Sequence, residues 1–140
     1  WSAVMNVENA VIPSGAQIRD FFTVDADGPF SMLNLLRFKS LATYPDGREP
    51  NLSGRDAYMR YGAGVAVLIQ EFGGQISFSG DISGLLLGEV DDMWDMVAIA
   101  DYPSHAKFME MMQDPRWLEI EVDREAGLAG QLNIRVERHV

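Results

Sequence analysis

Asn34 is the first residue that invites a chemical reading. It stands in the strand-length run PFSMLNLLRF (29–38), and the positions sharing its side, Phe30, Met32, Leu36 and Phe38, are all apolar. A buried amide must find partners, because stranding one costs roughly 1–3 kcal/mol. Asn34 therefore either meets a ligand or an oxyanion, or it bonds to a neighbouring strand or loop. Tyr58 and Tyr61 come next. They belong to the stripe Tyr58, Tyr61, Val65, Leu68, Phe72, whose spacing of three and four marks the inward side of a helix. Their phenols could protonate a bound carbonyl, or simply pack with the hydroxyls at the helix edge. Arg37, Gln131, Asn133 and Arg135 are polar strand positions, open alike to cavity lining, solvent and dimer pairing. If Gln131 and Asn34 face one cavity, they would fix the polar edge of a substrate while Met32 and phenylalanine side chains hold its apolar body. His105, in the first turn of a later helix, could be a base or a haem ligand, or a surface residue behind a cap. The chemistry this set supports is general acid–base catalysis, with Asn34 and Gln131 orienting and Tyr58 or Tyr61 giving the proton. Tyr58 is the preferred donor, being nearer the helix start and the 39–52 loop.

Several classes fall away. The 140 residues contain no cysteine, which removes disulfides, thiolate catalysis and thiolate metal sites together. With only two histidines a transition-metal site is not expected, and Asp91, Asp92 and Asp95 would hold calcium only in an unusually folded turn. No phosphate-cradling glycine loop, nucleophile elbow or dinucleotide fingerprint is present, so no cofactor is expected. A net charge of −10 argues against nucleic acid and against anionic membranes. No apolar run reaches the ~20 residues of a membrane span and nothing resembles a signal peptide; the expected location is cytoplasmic.

The elements that must position these residues read clearly. WDMVAIADY (94–102) is apolar enough to be a strand buried on both faces. Pro103 ends it, and Ser104 caps a helix with Phe108, Met111 and Met112 on one side. Asp114-Pro115 restarts the chain as cap and first residue of a helix over 116–126. QLNIRVE (131–137) then alternates Leu132, Ile134 and Val136 with Gln131, Asn133 and Arg135. Upstream, Ser53 with Asp56 opens a helix to about Phe72 that Gly73-Gly74 closes. QISFS (75–79) begins a strand, and LLLGE (85–89) either continues it past a bulge or forms a short hairpin partner. Residues 1–28 form an N-terminal extension, with a short helix from Pro13-Ser14 to Phe22 and a turn-rich break at Asp25–Pro29. Residues 29–140 form one α+β domain, a ferredoxin-like split βαβ sheet with helices on one face. The uncovered face of such a sheet calls for a partner.

Taken in order, these motifs resemble a known family. Gly73-Gly74 enters a strand, Trp94 precedes a β-run, Tyr102-Pro103-Ser104 opens a helix, and Asp114-Pro115-Arg116-Trp117 is followed by Arg124, Ala126 and a closing strand. The pattern, covering roughly 53–136, resembles the domain of unknown function 1330 family in the dimeric α+β-barrel superfamily. The resemblance implies a homodimer whose two sheets face each other and enclose a cavity. It supplies no chemistry, since relatives in the superfamily include cofactor-free monooxygenases, lactone isomerases, polyketide cyclases and haem-handling proteins. The leading expectation is a cofactor-free acid–base enzyme, isomerase- or cyclase-like, acting on a small apolar carbonyl or phenolic metabolite. Cofactor-independent oxygenation and a non-catalytic small-molecule-binding dimer are the rivals.

Overall fold

In a computed structural model, residues 6–23 and 28–139 are described; of the break expected at Asp25–Pro29, residues 25–27 lie outside them. The elements are α1 (Gly15–Thr23), β1 (Phe30–Phe38), α2 (Gly54–Glu71), β2 (Gln75–Asp81), β3 (Met96–Tyr102), α3 (His105–Gln113), α4 (Pro115–Gly127) and β4 (Leu128–Val136). After α1 this is the split βαβ order, and the four strands lie antiparallel as β2-β3-β1-β4. The fold is ferredoxin-like α+β.

Local chemistry starts each helix where the sequence places it. Ser53 Oγ accepts from Asp56 N at 3.0 Å, and Ser104 Oγ from Lys107 N at 3.1 Å. Asp114 accepts from Arg116 N at 2.8 Å with Pro115 following it. Each cap satisfies an amide that the first helical turn leaves without a carbonyl. Gly73, at φ 89°, turns the chain from α2 toward β2.

The helices cover one sheet face. Phe30, Met32, Leu36, Met96, Ala100 and Tyr102 are buried beneath them against Tyr58, Val65, Leu68, Ile69, Phe108 and Met111. Ala98, Gln131, Asn133 and Arg135 lie on this same side, because Asn34 pairs with both Ala98 and Asn133 and Leu36 pairs with Gln131. The alternation in β4 is thus turned the other way from a cavity between two sheets. The polar row Gln131, Asn133, Arg135 lies on the helix side, with Gln131 buried and Asn133 exposed at the sheet edge, and the apolar row Leu132, Ile134, Val136 looks outward. Leu33, Leu35, Val97, Ile99 and Phe78 complete that outward row. Arg37 also lies there, with its guanidinium on the Met93 carbonyl at 3.2 Å and on Asp92 at 3.3 Å, remote from Asn34's side of the sheet.

Two further expectations change. β3 begins at Met96, not Trp94, and residues 85–89 are neither a strand continuation nor a hairpin partner. Ile82 N bonds to Asp95 O, closing the base of an irregular loop that carries Leu86 and Leu87 almost fully exposed. Gly88, at φ 91°, adopts a backbone conformation that no strand uses. No helix among the described residues is long and apolar enough to cross a membrane.

Candidate active site

A connected set of polar side chains crosses from α4 to the middle of the sheet. Glu121 and Arg124 are one turn apart on α4, and Arg124 Nη1 donates to Glu121 Oε1 at 2.9 Å. Arg124 Nη2 donates to Gln131 Oε1 at 2.7 Å and to the Val11 carbonyl at 2.8 Å. Gln131 Nε2 in turn donates to Asn34 Oδ1 at 2.7 Å. Asn34 Nδ2 completes the chain by donating to the carbonyls of Met32 and Ala98, at 3.3 and 3.2 Å. Each amide is oriented by its neighbours, since a guanidinium can only donate and so fixes which end of Gln131 faces it.

One atom in this chain is left over. Glu121 Oε2 is buried and has no hydrogen-bond partner among the described residues. The side chains of Glu121 and Arg124 are only 18% and 15% exposed, so water does little for the pair. Burial pushes the Glu121 carboxyl above the ordinary glutamate range; Arg124 opposes that rise and Glu125 adds to it.

Three phenols gather beside the chain. Tyr58 is buried among Leu36, Phe38 and Leu128, its ring 5.5 Å from that of Tyr61. Tyr61 is partly buried, and its hydroxyl accepts from Trp117 Nε1 at 3.4 Å. Tyr102 packs at the far end of the row against Phe30 and Phe108. Burial raises the Tyr58 phenol well above its ordinary range, with further pressure from Tyr61 and Glu121 against the pull of Arg124. Burial lifts Tyr61 to about 12 despite Trp117 and Arg124. Tyr102 is raised by burial and then by Tyr61 and Tyr58, so the three feel one another. All keep their protons at neutral pH. Beneath them the helix-facing row of β3 carries Ala98 and Ala100, the smallest side chains of that row.

The structure brings Asn34, Gln131, Tyr58 and Tyr61 into this neighbourhood. It sets His105 elsewhere, stacked on Phe21 at 4.9 Å and edge-on to Phe30 at 4.8 Å, with Nε2 3.2 Å from Arg135 Nη1. Met32 lies in the main core cluster. Asn133 stands opposite Asn34 on the outer strand and is exposed. Glu121, Arg124, Trp117 and Tyr102 were not among the site residues expected from sequence. The available signal was the spacing Trp117, Glu121, Arg124, which puts an indole, a carboxylate and a guanidinium on one helical face.

The N-terminal segment closes one side. Ala10 pairs with Gln131 through two backbone bonds, of 3.2 and 2.8 Å, and Asn9 Oδ1 accepts from Trp94 Nε1 at 2.6 Å. The extension is therefore held by the strand residue and the arginine that build the polar chain.

No family model matches this sequence, that of the domain of unknown function 1330 included, and no curated protein matches it either. Solved structures do match, among them two crystal structures of one protein. Methylated RPA0582 protein is 36% identical over 94% of this chain and 96% of its own, with a TM-score of 0.86. RPA0582 of Rhodopseudomonas palustris is 33% identical over 95% of this chain and 99% of its own, with a TM-score of 0.85. The chain belongs to the RPA0582 family. Membership brings no activity with it, since RPA0582 is itself a protein of unknown function. SnoaB, a cofactor-independent oxygenase from Streptomyces nogalater, is 16% identical over 82% of this chain and 96% of its own, with a TM-score of 0.49. That likeness is too slight to carry its chemistry to the RPA0582 family.

Proposed function

We propose that this RPA0582-family protein is a small-metabolite enzyme that moves a proton next to a carbonyl group, with Glu121 as base and Tyr58 as the donor to the carbonyl oxygen. The observation that carries the reading is Glu121 Oε2, a buried carboxylate oxygen without a partner, beside protonated phenols. Its partner oxygen is held by Arg124, which leaves Oε2 as the oxygen able to take a proton. A carboxyl raised by burial is a stronger base than an exposed one, and the rise moves it toward the neutral range in which proton transfer in both directions is efficient. In the step, the substrate C–H bond breaks, its proton passes to Glu121 Oε2, and the electron pair becomes an enolate whose oxygen is held by the Tyr58 hydroxyl. Return of that proton to another carbon is an isomerisation. Arg124, Gln131 and Asn34 are positioning residues in this scheme, since their hydrogen-bonding groups hold one another and the carboxylate.

The test is α-proton exchange in D₂O, followed by NMR over a panel of aryl ketones. Wild type should exchange the α-protons of at least one ketone, and Glu121→Gln and Tyr58→Phe should each exchange roughly 10²–10⁴-fold more slowly. Equal rates in both variants would return these residues to packing. No exchange above solvent background in wild type would leave a binding site without turnover.

The uncovered sheet face belongs to the same proposal. Leu33, Leu35, Val97, Ile99, Leu132, Ile134 and Val136 form one apolar surface across three strands, and Phe78, 55% exposed, extends it. Surfaces of that kind are rare on single chains, and a two-fold axis lets the same face cover itself. Sedimentation at micromolar concentration should give twice the mass of one chain, and Ile99→Lys should give one. A wild-type species of single mass would sink the dimer.

A further inference from the structure

We infer that each copy of the dimer carries an arm for the other: Leu86 and Leu87, at the tip of the β2–β3 loop, seat in a groove at the far end of the partner's sheet. The inference rests on the sheet-face dimer proposed above and adds to it which ends of the two sheets meet. The base of the loop is fixed, with Ile82 N bonded to Asp95 O at 2.9 Å and Asp95 N to Leu36 O at 2.7 Å. Above that base, residues 83–91 make no hydrogen bond among the described residues. Gly84 and Gly88 flank three leucines there, and Leu86 and Leu87 bury almost nothing in their own chain. Two neighbouring leucines left in water forgo a burial worth more than tenfold each in affinity. Arg37 lies on the uncovered side of the sheet and holds the Met93 carbonyl and Asp92. The returning limb of the loop is thereby drawn onto that side, next to the apolar face.

The same face ends differently at its other edge. β1 and β3 run from the pair Leu36 and Met96, beside the loop, to the pair Ser31 and Asp101. At that far end Pro29, Gly73, Gly74, Gln75, Tyr102 and Pro103 line an open groove of ≈ 370 Å³, with Asp101 at its rim. Two prolines and two glycines give it walls with few polar side chains. Asp101 accepts from Ser31, Gln75 and Ser77, at 2.6, 3.3 and 3.2 Å, so its oxygens are already engaged. Ile134 and Val136 are exposed toward this end, whereas Leu132, nearer the loop, is half-buried. Arm and groove thus stand at opposite ends of one surface. A two-fold axis across the strands lays the arm of each copy on the groove of the other, and one operation fills both grooves. An axis along the strands would set arm against arm and leave both grooves empty. It would also bring Asp101 beside its own copy, a juxtaposition of like charges.

The chain has no cysteine, so single introduced cysteines report position without background. Leu86→Cys and Gln75→Cys, one of them carrying a size tag, are refolded together and treated with a short bismaleimide. Unlike chains should link, and neither variant alone should link to itself. In sedimentation, Leu86→Asp combined with Leu87→Asp should weaken the dimer at least about tenfold. Circular dichroism of that variant should match wild type, because both leucines are exposed in the single chain. Leu86→Cys linking to itself, no unlike link in a species of double mass, or an undiminished dimer in the aspartate variant would overturn the inference and leave the sheet-face dimer standing. A wild-type species of single mass would remove both.

Discussion

Gly54→Ala should lower stability by ~3 kcal/mol or more, or abolish folding, although it adds a single methyl group. A Cβ on Gly54 would stand 2.1 Å from the Lys39 carbonyl oxygen and 2.7 Å from that of Gly127. Those neighbours are backbone and cannot rotate aside. Gly127 is crowded in return, its own Cβ falling 2.3 Å from the Gly54 carbonyl oxygen. The first turn of α2 therefore crosses the end of α4 at backbone contact, and Lys39 N bonds to Gly127 O at 2.8 Å beneath the crossing. Forcing the elements apart would also displace Ala57 and Tyr58, both buried one turn further on. Gly62→Ala is the control. It lies in the same helix, a Cβ there meets nothing within 4 Å, and it should stabilise by about 0.5–1 kcal/mol. Urea midpoints of the two variants moving in the same direction would refute the crossing as the cause.

That crossing also marks where reading the sequence stops. Helix starts at Ser53, Ser104 and Asp114 were legible because a cap is a local device, decided by three or four adjacent residues. The split βαβ order followed from strand and helix lengths. Which face of β4 the helices would cover was not legible, since alternation states that two faces differ and not which one is inside. Burying Gln131 became favourable only through partners distant in sequence, Asn34 lying 97 residues away. Asn34 and Gln131 were recognisable as amides in apolar company. Spacing alone makes Glu121 and Arg124 an i, i+3 ion pair of the surface or the core edge, and the packing of α4 on α2 with the bond to Gln131 is what buries them. The RPA0582 kinship adds a second backbone of the same shape without adding a reaction.

Arg124→Met should destabilise the protein by roughly 3–5 kcal/mol near neutral pH, and the loss should shrink as the solution is acidified. The side chain is kept close in length, so the effect is that of removing the charge and its donors. Three acceptors lose their partner at once: Glu121 Oε1, Gln131 Oε1 and the Val11 carbonyl. The part due to Gln131 and Val11 does not depend on pH. The part due to Glu121 does. Its folded carboxyl already sits above the ordinary glutamate range, so the folded protein binds that proton more tightly than the unfolded chain. Stability from this group is full at low pH and is lost as pH rises through the folded value. Arg124 is a downward pull on that value, so removing it moves the loss further up the pH scale and deepens it at neutrality. The difference in unfolding free energy between wild type and Arg124→Met should therefore be smallest near the ordinary glutamate value and should grow as pH rises above it. Adding Glu121→Gln to Arg124→Met removes the titrating group and should flatten the dependence while restoring part of the stability. The same substitution alone would leave the half-buried Arg124 charge without its carboxylate, so the two changes should be strongly non-additive. An Arg124→Met penalty that stays constant from pH 5 to 8 would mean that Glu121 never carries its charge in a buried setting, and the carboxylate would then lose its standing as the base.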